Sequence, residues 1–244
     1  MNPRRVIPCL LLGEEGLVKT VRFKSPKYVG DPLNAVRIFN EKEADELILL
    51  DITATVRSKP PRFELIREVS GECFMPLAYG GGIRSLADME KIFKCGVEKV
   101  VLNTIALEKP ELVREAARRF GSQSIVVCVD YRRNFWNRSN ARTRHGSRRV
   151  NMSELEAVRQ LAAEGAGEII LQSVDRDGTR TGYDLERIRE VSDSVGVPVV
   201  ALGGAGSAED LDRALKSGAS AAAAGSLFVL HGKHRAVLIS YPGR

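Results

Sequence analysis

Residues 76–104 read PLAYGGGIRSLADMEKIFKCGVEKVVLNT, and residues 198–226 read PVVALGGAGSAEDLDRALKSGASAAAAGS. The second stretch repeats the first at an offset of 122 positions, half of the 244-residue chain. In register, Pro76 meets Pro198, Gly81 and Gly82 meet Gly203 and Gly204, Ser85 meets Ser207, Asp88 meets Asp210, Gly96 meets Gly218 and Thr104 meets Ser226. The offset persists upstream, where Ala35-Val36-Arg37 maps onto Ala157-Val158-Arg159 and Glu46-Leu47-Ile48-Leu49 onto Glu168-Ile169-Ile170-Leu171. A repeat of this kind marks a duplicated half, about 1–122 and 123–244, and it constrains the architecture before any single element is assigned.

Within each half, a short apolar run is followed by a turn and then by an amphipathic stretch, the βα alternation of a parallel sheet. The strands are predicted at Val6–Leu12, Glu46–Asp51, Phe74–Tyr79 and Lys99–Leu102, then at Ser124–Asp130, Glu168–Ser173, Val197–Ala201 and Ala221–Gly225. Leu86, Met89, Ile92 and Phe93 form one helical stripe able to pack on a sheet, while Asp88, Glu90, Lys91 and Lys94 face water. Eight βα units in about 250 residues is the size of a closed (β/α)₈ TIM barrel. An open doubly wound sheet is the alternative, but two equal halves of four units close naturally.

Composition sets limits. With 43% hydrophobic residues, no apolar run long enough to span a bilayer and no charged-then-apolar leader, the chain is expected to be a single soluble, cytoplasmic domain. Cys9, Cys73, Cys95 and Cys128 have no CxxC spacing and read as small core residues rather than disulfides or metal ligands. His145, His231 and His234 offer no metal-ligand cluster, so no metal and no cofactor is expected. The net charge of +6 is local: seven arginines lie between Tyr131 and Arg149 with no acid among them, which leaves the remainder of the chain at −1. This segment follows the fifth strand, on the face where barrels carry their active sites. Three readings stand: a solvated hairpin, a site for an anionic small substrate, or nucleic-acid binding suggested by Phe135 and Trp136 among the arginines.

The glycine turns carry more specific chemistry. Gly80-Gly81-Gly82 with Asn103-Thr104, and Gly203-Gly204 with Gly225-Ser226 beside Asp177-Gly178, set backbone N–H groups and a hydroxyl where phosphates can sit at helix N-termini. Glycine also serves simply to turn tightly. Two such turns at symmetric positions point to a ligand with two phosphoryl groups spanning the mouth.

The motifs LDITAT (50–55), YGGGIRS (79–85), LNTIALEKPELV (102–113), RFGSQSIVVCVD (119–130), GAGEIILQSVDRDGTRTGYD (165–184) and GGAGS (203–207) resemble the cyclase subunit of imidazole glycerol phosphate synthase, over essentially the whole chain. That resemblance implies a barrel joined to a glutaminase subunit as a heterodimer, with ammonia passing up through the barrel to a bisphosphorylated substrate. It implies an ammonia gate of Arg5, Glu46, Lys99 and Glu168 at the base, with Glu98 at the partner interface. A salt-bridge plug of structural use only is the other reading of those charges. At the top it implies phosphate contacts from Gly81, Gly82, Asn103, Thr104, Gly178, Gly203, Gly204, Gly225 and Ser226, and substrate or loop roles for Lys19, Asp51 and Asp177.

The resemblance also shows departures. The family uses two aspartates as acid and base; Asp130 matches one, but Leu11 stands where the other is expected, and Leu202 stands where a serine is usual. A leucine cannot carry a proton, and a positioned acid–base group contributes about 10²–10⁴ in rate. Together with the IPCLLL start and the closing HGKHRAVLISYP, these departures resemble a paralogous branch acting in surface-polysaccharide (lipopolysaccharide) biosynthesis. The expected function is then delivery of ammonia for conversion of an acetamido to an acetamidino group on a nucleotide-linked sugar, alongside a separate ATP-dependent amidotransferase. The alternatives are a histidine-pathway cyclase and a non-enzymatic binding protein; no nucleic-acid or membrane partner is expected.

Overall fold

A computed structural model describes residues 5–134, 139–232 and 234–241. Among these, eight parallel strands form a closed barrel: β1 Val6–Leu12, β2 Leu47–Asp51, β3 Leu77–Gly80, β4 Lys99–Leu102, β5 Ile125–Arg133, β6 Glu168–Ser173, β7 Val199–Leu202 and β8 Ala221–Ala224. Each pairs in parallel with its successor, and β8 returns to β1 through Val6↔Ala222 and Pro8↔Ala224. The fold is a (β/α)₈ TIM barrel, as the repeat predicts.

Side-chain alternation divides the interior into two cores. On β1, Ile7, Cys9 and Leu11 point into the barrel with Val126, Cys128, Ile170, Val200 and Leu202. Val6, Leu10 and Leu12 point outward to the helices. Those helices are α1 Pro32–Glu41, α2 Phe63–Glu72, α3 Leu86–Lys94, α4 Pro110–Phe120, α5 Glu154–Ala163, α6 Leu185–Ser192 and α7 Ala208–Lys216. All four cysteines are free, three of them buried and Cys73 partly so.

The repeated text encodes repeated termini. Ser85 Oγ accepts the N–H of Asp88 at 3.2 Å and Ser207 Oγ that of Asp210 at 3.4 Å, capping α3 and α7. The same aspartates reach back to the backbone N–H groups of Arg84 and Gly206. A cap of this type is worth about 1 kcal/mol. Gly96 and Gly218 follow the two helices at φ of 100° and 103°, the left-handed region that lets the chain reverse into the next strand.

The duplication fails in its last eighth. The residues that should repeat α4 read GKHRAVLISYP, in which Val237 and Ile239 are β-branched and no helical apolar stripe remains. Instead, Leu230–His231 pairs antiparallel with Ala236–Val237, and His231 lies on a strand rather than a helix. The chain then runs along the barrel wall, with Leu238 N–H on Val229 O and Ser240 N–H on Phe228 O. Tyr241 packs on Phe39 and Phe228, and its hydroxyl donates to Val6 O at 2.9 Å. A tail strand does the covering work of the missing helix.

Three further differences bear on the site. β3 begins at Leu77, and Phe74, predicted within it, is 87% exposed with its N–H on Asn40 Oδ1. The loop after β1 is a hairpin, Leu17–Val21 against Lys24–Gly30. β5 continues past Asp130 and returns as Ser139–Thr143, itself paired with Arg148–Arg149, so the arginine segment is a β-ribbon extending the barrel wall. Phe135, Trp136 and Arg138 lie outside the described residues.

Candidate active site at the C-terminal mouth

The carboxyl ends of β1 to β6 line a cavity of about 440 Å³ whose wall includes Leu11, Gly82, Asn103, Thr104, Asp130 and Gln172. Asp130 is buried in its wall, with Leu11, Cys128 and Gln172 lining the same space. Burial pushes the Asp130 carboxyl up to about 7; the thiol of Cys128, 3.4 Å away, and the amide of Asn103 favour its charged form, while the charge of Asp177 opposes it. A carboxyl poised near neutrality is suited to give or take a proton.

Among the described residues, the other carboxylates near the mouth are held by partners of their own. Asp51 accepts the N–H groups of Thr53 and Ala54 and pairs with Arg62 at 3.0 Å. Glu108 faces Arg144 and Arg148, and Asp177 accepts the hydroxyl of Thr20 at 2.9 Å. Leu11, inward on the first strand, lines the same cavity as Asp130, and Leu202 is an inward apolar group of β7.

The two glycine turns differ. At the first, Gly82 N–H is bonded to Thr55 Oγ1, Asn103 Nδ2 to Cys128 O, and Thr104 Oγ1 points to Asn103 Oδ1 at 3.3 Å. This turn opens into the large cavity beside Gly81. At the second, Gly178, Gly203, Gly204, Gly225 and Ser226 surround a space of only about 20 Å³ together with Lys19 and Asp177. The Lys19 ammonium approaches Gly225 so closely that no Cβ could be placed there. The helices after the turns, Thr104–Glu108 and Ser226–Val229, have five and four residues, so individual N–H groups rather than a long helix dipole would hold an anion there.

Over the first turn lies the tip of the arginine ribbon. Arg144 N–H donates to Thr104 Oγ1 at 3.0 Å, and the His145 ring stacks on Phe23 of the β1 hairpin with centroids 4.8 Å apart. Burial holds the His145 imidazole below its ordinary range. Sequence reasoning missed Cys128 and Gln172 as neighbours of Asp130. Cys128 stands two residues before Asp130 on the same strand face, and Gln172 pairs with Asp130 in register. Reading the strand parity finds both.

At the other end of the barrel, Arg5, Glu46, Lys99 and Glu168 form an alternating ring. Arg5 bonds both glutamates, and Lys99 Nζ lies 3.1 Å from Glu46 and 3.2 Å from Glu168. Burial alone would raise Glu46, but the hydrogen bonds and charges of Arg5 and Lys99 bring it below the usual carboxylate range. Glu98, exposed on the same face, accepts Leu77 N–H at 2.8 Å and so also caps β3.

Residues 5–235 match the family described as histidine biosynthesis protein. Over 243 residues the chain is 58% identical to a Pseudomonas aeruginosa protein described as "Putative imidazole glycerol phosphate synthase subunit hisF2", covering 99% of this chain and 97% of that protein. A Vibrio vulnificus protein described as "Putative imidazole glycerol phosphate synthase subunit hisF3" is 48% identical, over 98% of this chain and 92% of its own length. The Alkaliphilus metalliredigens "Imidazole glycerol phosphate synthase subunit HisF" is 41% identical, over 93% and 91%. The barrel, the motifs and these relatives agree, and the chain belongs to the histidine biosynthesis protein family, in its imidazole glycerol phosphate synthase cyclase-subunit group.

Proposed function

We propose that this chain is the synthase subunit of a glutamine-dependent, ammonia-using enzyme. It takes ammonia from a glutaminase subunit bound at the N-terminal face of the barrel, through the ring of Arg5, Glu46, Lys99 and Glu168, and uses it at the mouth on a phosphate-bearing substrate held at Gly82 and Thr104. The observation that carries the reading is the presence of both ends in one barrel: a charged ring at the base and, at the mouth, the buried Asp130 carboxyl, raised toward neutrality. The names of the relatives make the cyclisation of histidine biosynthesis the first reading of that reaction.

One observation favours a second reading. With Leu11 in place of a second carboxyl, half of an acid–base pair is absent, and ammonia delivered to the mouth would serve another acceptor. The acceptor in this reading is an acetamido group on a nucleotide-linked sugar, converted to acetamidino with activation by a separate ATP-dependent protein. Purification of the chain from its native cell tests both. A co-purifying glutaminase subunit is expected in either case, and its absence would overturn the proposal; an additional ATP-dependent amidotransferase in the complex supports the second reading over the first.

A further inference from the structure

Three of the ribbon arginines are absorbed neither by the glycine turns nor by the Asp130 cavity. Register fixes where they stand. Successive strand residues face opposite sides, and residues paired across antiparallel strands share a side. Asp130 pairs with Arg142, and Arg142 with Arg149, so these residues form one row across the ribbon, and Arg132, two residues past Asp130, shares their side. It is the inner side: Val126 and Cys128, of the same parity, lie in the barrel core, whereas Tyr131 and Ala141, of the opposite parity, are buried among the helices.

The cluster is short of negative charge. Arg133 is paired with Asp184 and Glu186 on the far side, and Arg144 and Arg148 face Glu108. Asp175 Oδ1 lies 3.9 Å from Arg132 Nε and its charge acts on Arg142, while Asp130 stands in the same row as Arg142 and Arg149. The Nε atoms of Arg132 and Arg142 are secluded from solvent and have no hydrogen-bond partner among the described residues. Burial and the positive charges of Arg132 and Arg149 together hold Arg142 below the usual guanidinium range. Three cations against the carboxyl groups of Asp175 and Asp130 leave an excess of positive charge, and forked guanidinium groups match the oxygens of a phosphate in paired hydrogen bonds.

We propose that Arg132, Arg142 and Arg149 form a binding site for a doubly charged phosphoanion, the pyrophosphate or phosphomonoester group of a small ligand, at the barrel mouth and outside both glycine turns. The site deepens the proposed function by naming the class of ligand presented to the Asp130 cavity, and its role in the reaction rests on that reading. Anion binding itself does not.

The test uses the full chain and inorganic pyrophosphate, inorganic phosphate and malonate, followed through the arginine Nε–H signals by nuclear magnetic resonance. Arg132→Gln, Arg142→Gln and Arg149→Gln assign the signals. A saturable shift of the Arg142 signal is expected with pyrophosphate or phosphate, and the tighter of the two identifies the natural group. Arg149→Gln, an exposed change that keeps the test open should Arg142→Gln misfold, should weaken binding read at Arg132 and Arg142 by about tenfold or more, the loss expected for one charge-assisted pair. Ammonia-transfer assays are not needed for this readout, so failure of the proposed reaction and failure of the site are separable. Phosphoanions that leave the Arg142 signal unmoved, malonate that binds as tightly as pyrophosphate, or an Arg149→Gln chain with undiminished affinity would each overturn the site.

Discussion

The backbone N–H of Arg144 donates to the side-chain oxygen of Thr104 at 3.0 Å, so the hydroxyl at the first glycine turn also anchors the tip of the arginine ribbon. The hydroxyl proton points to Asn103 Oδ1 at 3.3 Å, and donation to a phosphate oxygen requires turning it away. Under the proposed function, phosphate binding at Thr104 and ribbon docking would share one atom. Thr104→Val should weaken phosphate binding at this turn by about tenfold, the cost of one hydrogen bond to a charged group, and should raise amide exchange at Arg144. Isothermal titration with inorganic phosphate and hydrogen exchange measure the two effects; unchanged exchange at Arg144 would show that the ribbon is held by the Phe23–His145 stack alone.

The ring at the base gives a prediction with a sign. Glu46 is held below its ordinary pKa by Arg5 and Lys99. Its contribution to stability is therefore fully present above the unfolded value near 4.5 and is lost as pH falls through the lower folded value. Lys99→Ala should reduce that acid-side slope and lower stability by about 1–2 kcal/mol, a half-buried pair being worth more than a surface one. Under the proposed function it should also weaken glutamine-driven turnover while leaving ammonium-driven turnover largely intact. Equal loss of both would leave the ring as a structural plug.

Asp130 behaves in the opposite sense. Its folded pKa is raised to about 7 from 3.8, chiefly by burial, so the folded state holds a proton that the unfolded state has released. Stability should fall as pH rises from about 4 to about 7 and then level off. Asp130→Asn should remove this slope and be more stable than the unmodified chain at pH 8, by an amount on the order of 1–4 kcal/mol, while losing the proposed reaction. Thermal melts across pH 4–8 check the stability difference. A parallel pair of pH profiles would mean that Asp130 ionises freely in the folded chain.

Much of this molecule is legible because the duplication repeats not only apolar periodicity but also caps. Ser85 with Asp88 and Ser207 with Asp210 mark the same helix start twice, and Gly96 and Gly218 mark the same stop. The eighth helix is where pattern and repeat part company, and Val237 and Ile239 record it in the sequence. A hairpin is among the readings of the arginine segment, but its buried face is masked by its charge: Ser139, Ala141 and Thr143 are buried while Asn140 and Arg142 are not, a period of two that seven arginines in nineteen residues obscure. The ring and Asp130 follow from strand ends, whereas the closing of the second glycine turn by Lys19 depends on a hairpin register that no local pattern encodes.

The apolar neighbour of Asp130 leads to the last prediction. Leu11 and Leu202 occupy inward positions around a buried carboxyl, and neither can hold a proton. Given saturating ammonium and its own glutaminase, the unmodified chain should cyclise the histidine-pathway intermediate at least about 10²-fold more slowly than a barrel carrying both carboxylates, from the missing acid–base group alone. Leu11→Asp should restore only a fraction of this. The new carboxyl would be buried beside Leu202, Cys9 and Cys128, and it would repel Asp130, pushing the apparent pKa values of the pair apart. Leu11→Asp with Leu202→Ser relieves part of that apolar contact and should recover more. Steady-state assays of the three chains and growth of a histidine auxotroph carrying each of them provide the measurement. Robust growth with the unmodified chain would mean that another group at the mouth carries the second proton, and would make histidine biosynthesis the reaction of this barrel.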